Sequence, residues 1–281
     1  MQHIIENVKD FQLDHIFDCG QCFRWQRQED GSYIGTAMDK IVKMSLEADT
    51  LTIDNCSQED FENIWKSYLD MDTDYGEIKK ILTKNDSVLK KAAKYGYGIR
   101  ILKQGFWETT VSFIISQNNN IPRIKGCIEA LCCQFGKKIG EYEGKEYFAM
   151  PEPEDLAKLE PEDLASVRLG YRGPYLIKMA KQILEQGGAE AVKKRLVASE
   201  EPIQELQEFC GVGPKVASCI SLFGLARTEA FPIDVWMRRV MNRLYDIEER
   251  NVKAMDTYAK EHFGEYGGIA QQYLFYYIRG L

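Results

Sequence analysis

Lys215 stands in the first turn of a helix expected to begin at Pro214, directly after Gly211-Val212-Gly213, and Asp234 follows nineteen residues later where another helix should start. A Gly-x-Gly turn between two short helices exposes backbone N–H groups at the positive end of a helix dipole, which is a seat for a phosphate. An amine in that turn has its charged form disfavoured, as a nucleophilic lysine requires. A free lysine of pKa near 10.4 is neutral in about one molecule per few thousand at pH 7. Bringing its pKa to about 7–8 raises that fraction several hundredfold. A helix N-terminus supplies at most about 1–2 kcal/mol of this, so partial burial must supply the rest. The carboxylate complements the amine, because a breaking glycosidic bond passes through an oxocarbenium-like sugar that a nearby negative charge stabilises. Such a pair could displace the substituent at an anomeric carbon and carry the sugar on as a Schiff base. Each residue also has a plainer reading: Lys215 as a phosphate-binding surface lysine, and Asp234 as a helix N-cap.

A second group lies in Ser116-Gln117-Asn118-Asn119-Asn120-Ile121-Pro122-Arg123, at a junction between two helices. Three successive asparagines are poor helix interior and good caps, so a turn is the simplest expectation. Amide and guanidinium groups on a rigid turn could also pair with the edges of a nucleobase. Arg123 and Arg172 offer donors that suit cytosine O2 and N3, and Tyr171 offers a flat wedge.

The elements that must position these groups read in two parts. Over residues 1–104, Phe23–Gln26, Tyr33–Thr36, Ile41–Met44 and Thr50–Ile53 alternate as half-buried strands do, predicting an antiparallel sheet. The period then becomes helical over 58–69, 74–83 and 86–96, with Asp74 and Asp86 as N-caps. Over residues 105–281 almost everything reads as helices: 106–118, 121–135, 153–159, 161–167, 173–186, 188–198, 202–209, 214–225, 234–245, 251–262 and 268–279. The expected class is therefore mainly α, an N-terminal α+β domain followed by an all-helical domain, with a binding cleft between them.

Composition sets the boundaries. The chain of 281 residues is 44% hydrophobic and 28% charged, ordinary for a globular protein. No apolar run approaches the roughly 18 residues of a membrane span, and the first residues lack the pattern of a signal peptide, so a cytoplasmic or nucleoid location is expected. The net charge of −7 looks unfavourable for a nucleic-acid partner, but residues 101–245 hold 19 basic and 19 acidic side chains. A DNA footprint needs local positive potential rather than a positive total. The eight cysteines are scattered, and Cys19-x-x-Cys22 has no second pair to complete a zinc site.

Taken together, these motifs resemble those of the 8-oxoguanine DNA glycosylase/AP lyases, within the helix-hairpin-helix glycosylase superfamily. The resemblance covers nearly the whole chain: Cys19-Gly20-Gln21-Cys22-Phe23-Arg24-Trp25, Asn118 to Ile121 with Arg123, Leu169-Gly170-Tyr171-Arg172, Gly211 to Ala217, Pro232 to Val235, and Ala270-Gln271 with Leu274-Phe275. It implies a TATA-binding-protein-like N-terminal domain and a helical glycosylase domain that excises 8-oxoguanine opposite cytosine from double-stranded DNA, as a monomer. Lys215 would be the nucleophile and Asp234 its electrostatic partner. Phe275 and Cys219 would sandwich the flipped base, Gln271 would read its Watson–Crick edge, and the Gly20 carbonyl would accept from the N7–H that oxidation creates. Asn118, Arg123 and Arg172 would hold the estranged cytosine, with Tyr171 as wedge. The turn Gly211-Val212-Gly213 would bind phosphate, and the carbonyls of Gln207, Phe209 and Val212 would hold a monovalent cation, Na+ or K+. No redox or organic cofactor is implied. The four-cysteine iron–sulfur loop of some relatives is not expected, since the last cysteine is Cys219. The chain departs from animal relatives at Trp236, where they carry His, and at Cys22 and Pro122, where Ser and Ala are common. Two rivals remain at this point, an alkylated-base glycosylase, which typically lacks the lysine, and a non-catalytic helix-hairpin-helix DNA-binding protein.

Overall fold

The computed structural model describes residues 1–280. Five antiparallel strands, β1 (Gln2–Ile5), β2 (Trp25–Arg27), β3 (Tyr33–Ala37), β4 (Lys40–Glu47) and β5 (Thr50–Asp54), form a sheet in the order β1-β5-β4-β3-β2. Four of them fall on the alternating segments of the sequence. The fifth, β1, was not legible: it pairs His3 with Ile53, and its pattern is unhelpful because Ile4 lies more than half exposed at the sheet edge. One face of the sheet buries Tyr33, Val42, Met44, Leu51 and Ile53 against Phe17, Trp25, Trp65 and Tyr68. Trp25 stacks on Phe17 at 4.0 Å and donates its indole N–H to the Tyr68 hydroxyl at 3.0 Å, so the largest apolar group also satisfies its polar atom.

The second half is not wholly helical. Residues Lys138–Tyr142 (β6) and Lys145–Phe148 (β7) form a hairpin around Glu143 and Gly144, both at positive φ. Tyr147 packs on Ile34 and Ile41, so the hairpin covers the other face of the main sheet. Charged residues at Lys138, Glu141, Lys145 and Glu146 mask its alternation in sequence. Elsewhere the helical spans hold to within a few residues at most ends, although 161–167 retains only a 3-10 turn at Ala165–Val167. Asp74 and Asp86 accept from the backbone N–H of Glu77 and Leu89, as their N-cap reading requires.

The larger core lies in the helical part, and it also takes in Tyr75, Ile78, Leu82, Leu89 and Ala92 from the helices Tyr75–Thr83 and Ser87–Tyr95. The helix Ser87–Tyr95 packs on Tyr75–Thr83 and joins the N-terminal segment to the end of the chain by packing also on the C-terminal helix Gly267–Arg279. That helix comes close to Pro214–Gly224 because position 268 is glycine: a Cβ there would lie 2.3 Å from Leu222 Cδ1 and 2.8 Å from the Ala230 carbonyl. Among the described residues, no helix is long and apolar enough to cross a membrane.

Candidate active site

Pro214 opens the helix Pro214–Gly224, with its fixed φ and missing N–H suited to the first helical position, and Gly213 is the N-cap. Lys215 therefore sits at the second position, half-buried, with its Nζ 5.0 Å from the centre of the Phe113 ring. Phe113 stacks on Phe223 at 5.4 Å and meets the edge of Phe23 at 5.7 Å, so the lysine lies on an apolar floor. One turn further on is Cys219, whose buried thiol is pushed up from its ordinary pKa by burial; the Lys215 ammonium pulls it back in part, and Asp234 pushes it further up. The Cys219 thiol therefore lies beside the Lys215 side chain and feels the Asp234 charge. Asp234 is held in place by capping the helix Val235–Tyr245, its Oδ1 accepting from the Met237 N–H at 2.8 Å. The plain capping reading of Asp234 is correct, and it leaves Oδ2 free of that bond.

Gly20, in the N-terminal segment, lies against the C-terminal helix. Its φ is +86°, which favours glycine, and a Cβ at this position would lie 3.3 Å from Phe275 Cε1 and 3.5 Å from Arg279 Nη1. Phe275 and Gln271 are one turn apart on the helix Gly267–Arg279, so they share a face. Gln271 is buried, and its Oε1 accepts from Gln272 Nε2 at 2.7 Å. The parts of the expected base pocket thus come from both ends of the chain.

What fixes the Gly20 loop is a residue the sequence motif contained without explaining. Gln21 is fully buried; its amide donates to the carbonyls of Ile16 (2.9 Å) and Arg100 (2.8 Å) and accepts from the Leu102 N–H (2.9 Å). Gln104 donates its side-chain amide to the Gln21 carbonyl at 2.7 Å and its backbone N–H to the Phe223 carbonyl at 3.0 Å. Gln104 therefore joins the Gly20 loop to the helix that carries Lys215. Arg24, also buried, pairs with Glu129 at 3.2 Å and donates to the Phe148 carbonyl, which anchors the other end of the motif.

The asparagine turn is organised as a turn. Asn118 has φ +47° and is exposed, Asn119 Nδ2 donates to the Ile115 carbonyl at 3.1 Å, and Asn120 caps the next helix by accepting from the Arg123 N–H at 3.1 Å. Arg123 is exposed, with one long bond of 3.4 Å to the Arg168 carbonyl. Arg172 differs: it is 4% exposed and donates to the carbonyls of Gln117 (2.9 Å from Nε), Asn118 (3.0 Å) and Leu169 (3.2 Å). Its guanidinium stacks 4.5 Å from the Tyr171 ring, which is 48% exposed. In this state Arg172 holds the turn, while Arg123 and Tyr171 are free to face a partner. Gln117 is the link between turn and hairpin, since its amide donates to the Gly211 carbonyl at 2.9 Å while its own carbonyl accepts from Arg172 and Tyr171.

At the hairpin, Gly211 has φ +81° and lies against the Tyr175 ring, which meets Tyr171 edge-on at 5.7 Å. Gln207, Phe209, Gly211, Val212 and Gly213 border one shallow depression. The Val212 N–H closes the turn on the Phe209 carbonyl at 3.1 Å. Neutral backbone carbonyls are a donor set compatible with a monovalent cation. Beside Asp234, Trp236 is 45% exposed with the Arg239 guanidinium 5.2 Å from its ring.

Comparison with known proteins agrees with this geometry. Residues 3–110 match the family model described as 8-oxoguanine DNA glycosylase, N-terminal domain, and residues 111–264 match the HhH-GPD superfamily base excision DNA repair protein model. A Clostridium acetobutylicum 8-oxoguanine glycosylase/lyase, solved with double-stranded DNA containing cytosine opposite 8-oxoguanine, is 43% identical, with a TM-score of 0.93 over 99% of this chain and 94% of that one. Its apo form superimposes with a TM-score of 0.92 at 43% identity, over 98% and 96% of the two chains. A Saccharomyces cerevisiae N-glycosylase/DNA lyase is 29% identical over 265 residues, 86% of this chain and 70% of that protein. The chain belongs to the 8-oxoguanine DNA glycosylase family within the HhH-GPD superfamily of base excision DNA repair proteins.

Proposed function

We propose that this protein is a bifunctional glycosylase/lyase that removes 8-oxoguanine opposite cytosine from double-stranded DNA, with Lys215 as nucleophile. The placement of Lys215 in the first turn of its helix, over Phe113 and one turn before Cys219, together with the packing of Gly20 against Phe275, carries this reading. The neutral Lys215 amine attacks C1′, and the glycosidic bond breaks with its electron pair leaving on the base, which takes up a proton. The Asp234 carboxylate stabilises the positive sugar as that bond breaks. Ring opening gives a Schiff base, loss of a C2′ proton expels the 3′ phosphate, and hydrolysis returns the lysine. The base lies between Phe275 and the Cys219 thiol, Gln271 faces its Watson–Crick edge, and the Gly20 carbonyl accepts from N7–H. Normal guanine has an acceptor at N7, and the bond it cannot make is worth about 1–3 kcal/mol, or roughly 5- to 150-fold. Further selection falls to base extrusion, whose unstacking costs a few kcal/mol.

On the opposite strand, Asn118 and Arg123 contact the estranged cytosine. Arg172 contributes there once it exchanges part of its carbonyl bonds, and Tyr171 wedges against the neighbouring pair. The turn Gly211-Val212-Gly213 binds phosphate through the N–H groups its internal bond leaves free, and the Gln207, Phe209 and Val212 carbonyls would hold Na+ or K+ beside it. The enzyme would act as a monomer in the cytoplasm, at the nucleoid if the cell is prokaryotic. Borohydride trapping on duplexes containing 8-oxoguanine tests the central step. Wild-type protein should become covalently linked through Lys215, located by mass spectrometry, and Lys215→Gln should not. An adduct at another lysine, or undiminished trapping by the variant, rejects the assignment.

A further inference from the structure

Arg279, in the last turn of the C-terminal helix, has no role in the chemistry above. It lies four residues after Phe275, and its guanidinium carbon is 5.3 Å from the centre of the Phe275 ring. Helical side chains lean toward the N-terminus, so an arginine at this spacing covers the turn before it. The same guanidinium borders Gly20: a Cβ on that residue would lie 3.5 Å from Arg279 Nη1 and 3.3 Å from Phe275 Cε1. Among the described residues, no carboxylate forms an ion pair with Arg279. The residue is exposed, so its placement is not explained by core packing or charge pairing.

We propose that Arg279 is a positioning residue that backs the Phe275 ring and fixes it against the Gly20 loop, so that the ring is a rigid platform for the extruded base. This rests on the base-pocket reading of Phe275 and Gly20 given above. A ring on the last turns of a terminal helix, half-buried, has room to swing. A planar cation on one of its faces limits that swing and leaves the other face for a purine. Stacking of this kind at an exposed site corresponds to a roughly two- to fivefold effect.

The test compares single-turnover excision from 8-oxoguanine duplexes with strand cleavage at a preformed abasic site, which has no base to stack. Arg279→Ala and Arg279→Met should lose about two- to fivefold more on the 8-oxoguanine duplex than on the abasic one, and Arg279→Lys should lose less. With Phe275→Ala as background, adding Arg279→Ala should cost nothing more on the 8-oxoguanine duplex, because the group it positions is gone. Equal losses on both duplexes, with a reduced salt dependence of binding, would make Arg279 a phosphate contact and overturn the proposal. Fully additive losses in the double variant would also overturn it. If wild-type protein fails to excise 8-oxoguanine, the pocket reading itself fails, and the two failures are thereby distinguished.

Discussion

Replacing Asp234 by Asn and by Ala separates the helix cap that this side chain forms from the electrostatic role proposed for its charge. Its Oδ1 caps a helix through a 2.8 Å bond from the Met237 N–H. Asn caps about as well as Asp, so Asp234→Asn should change stability by no more than about 0.5 kcal/mol, whereas Asp234→Ala should lose about 1 kcal/mol. The proposed role of the charge lies elsewhere, on a sugar that becomes positive only as its bond to the base breaks. Two unit charges about 5 Å apart at an effective dielectric near 20 interact by about 3 kcal/mol. That agrees with the roughly 10²- to 10³-fold lost when one preorganised electrostatic group is removed from an active site. Both variants should therefore slow single-turnover excision by about 10²- to 10³-fold while binding lesion DNA nearly as wild type does, since the ground state carries little of the charge. Urea unfolding measures the cap, and quenched-flow excision with a separate binding titration measures the charge. Asp234→Asn retaining a rate within a few-fold of wild type, with Asp234→Ala much slower, would refute the electrostatic role and leave only the cap.

The two arginines near the asparagine turn should differ. Arg123→Ala removes an exposed guanidinium proposed to read cytosine and should lower excision opposite cytosine by roughly one to two orders of magnitude, with a smaller loss opposite adenine and little change in stability; equal losses opposite every base would assign it to phosphate instead. Arg172→Ala removes both the bonds that hold the Gln117–Asn118 turn and a donor proposed for cytosine, so it should lower the urea midpoint and reduce activity on every duplex, most opposite cytosine; an unchanged midpoint would show that the turn holds without it. Burial pushes the Cys132 thiol up to about 12 from 9.0, so the unfolded chain gives up this proton first as pH rises. The associated stability is complete below pH 9, falls through the window from 9 to 12, and amounts to a loss of about 1.4 kcal/mol at pH 10. The unfolding free energy of Cys132→Ala should fall less between pH 8 and 10 by that amount, and identical slopes would contradict it.

How much of this was legible in the sequence depends on the range of the interaction. Caps are local, and Asp74, Asp86, Asn120 and Asp234 each accept from an N–H three residues on, as residue type and position suggest. The Gly211–Lys215 hairpin is local too, and its placement in the first turn of a helix follows from Gly and Pro. The supports of the site are not local. Gln21 bonds to residues 79 and 81 positions away, and Gln117 reaches Gly211 across 94. A lone glutamine carries no periodicity and no turn preference, so nothing near it in the chain announces such a role. Arg172 was legible as a residue type and not as a state, because a guanidinium that suits cytosine also suits backbone carbonyls.

This distinction bears on how the site is kept in shape. The groups expected to touch substrate lie on short local features: a helix start, a cap, a glycine turn, one turn of the last helix. Each of those would be loose by itself, since helix ends fray and glycine turns have many conformations. The long-range amides remove that freedom. Gln104 ties the Gly20 loop to the end of the Lys215 helix, Gln117 ties the asparagine turn to the start of it, and Gly268 lets the Phe275 helix lie close alongside. The helix Pro214–Gly224 is thus tied near its start by the Gln117 side chain and near its end by the Gln104 backbone N–H, both from distant segments. The proposed attack on C1′ needs the Lys215 amine placed to a fraction of an ångström, and the amides of Gln21, Gln104 and Gln117, bonded to backbone from distant segments, supply the rigidity for it.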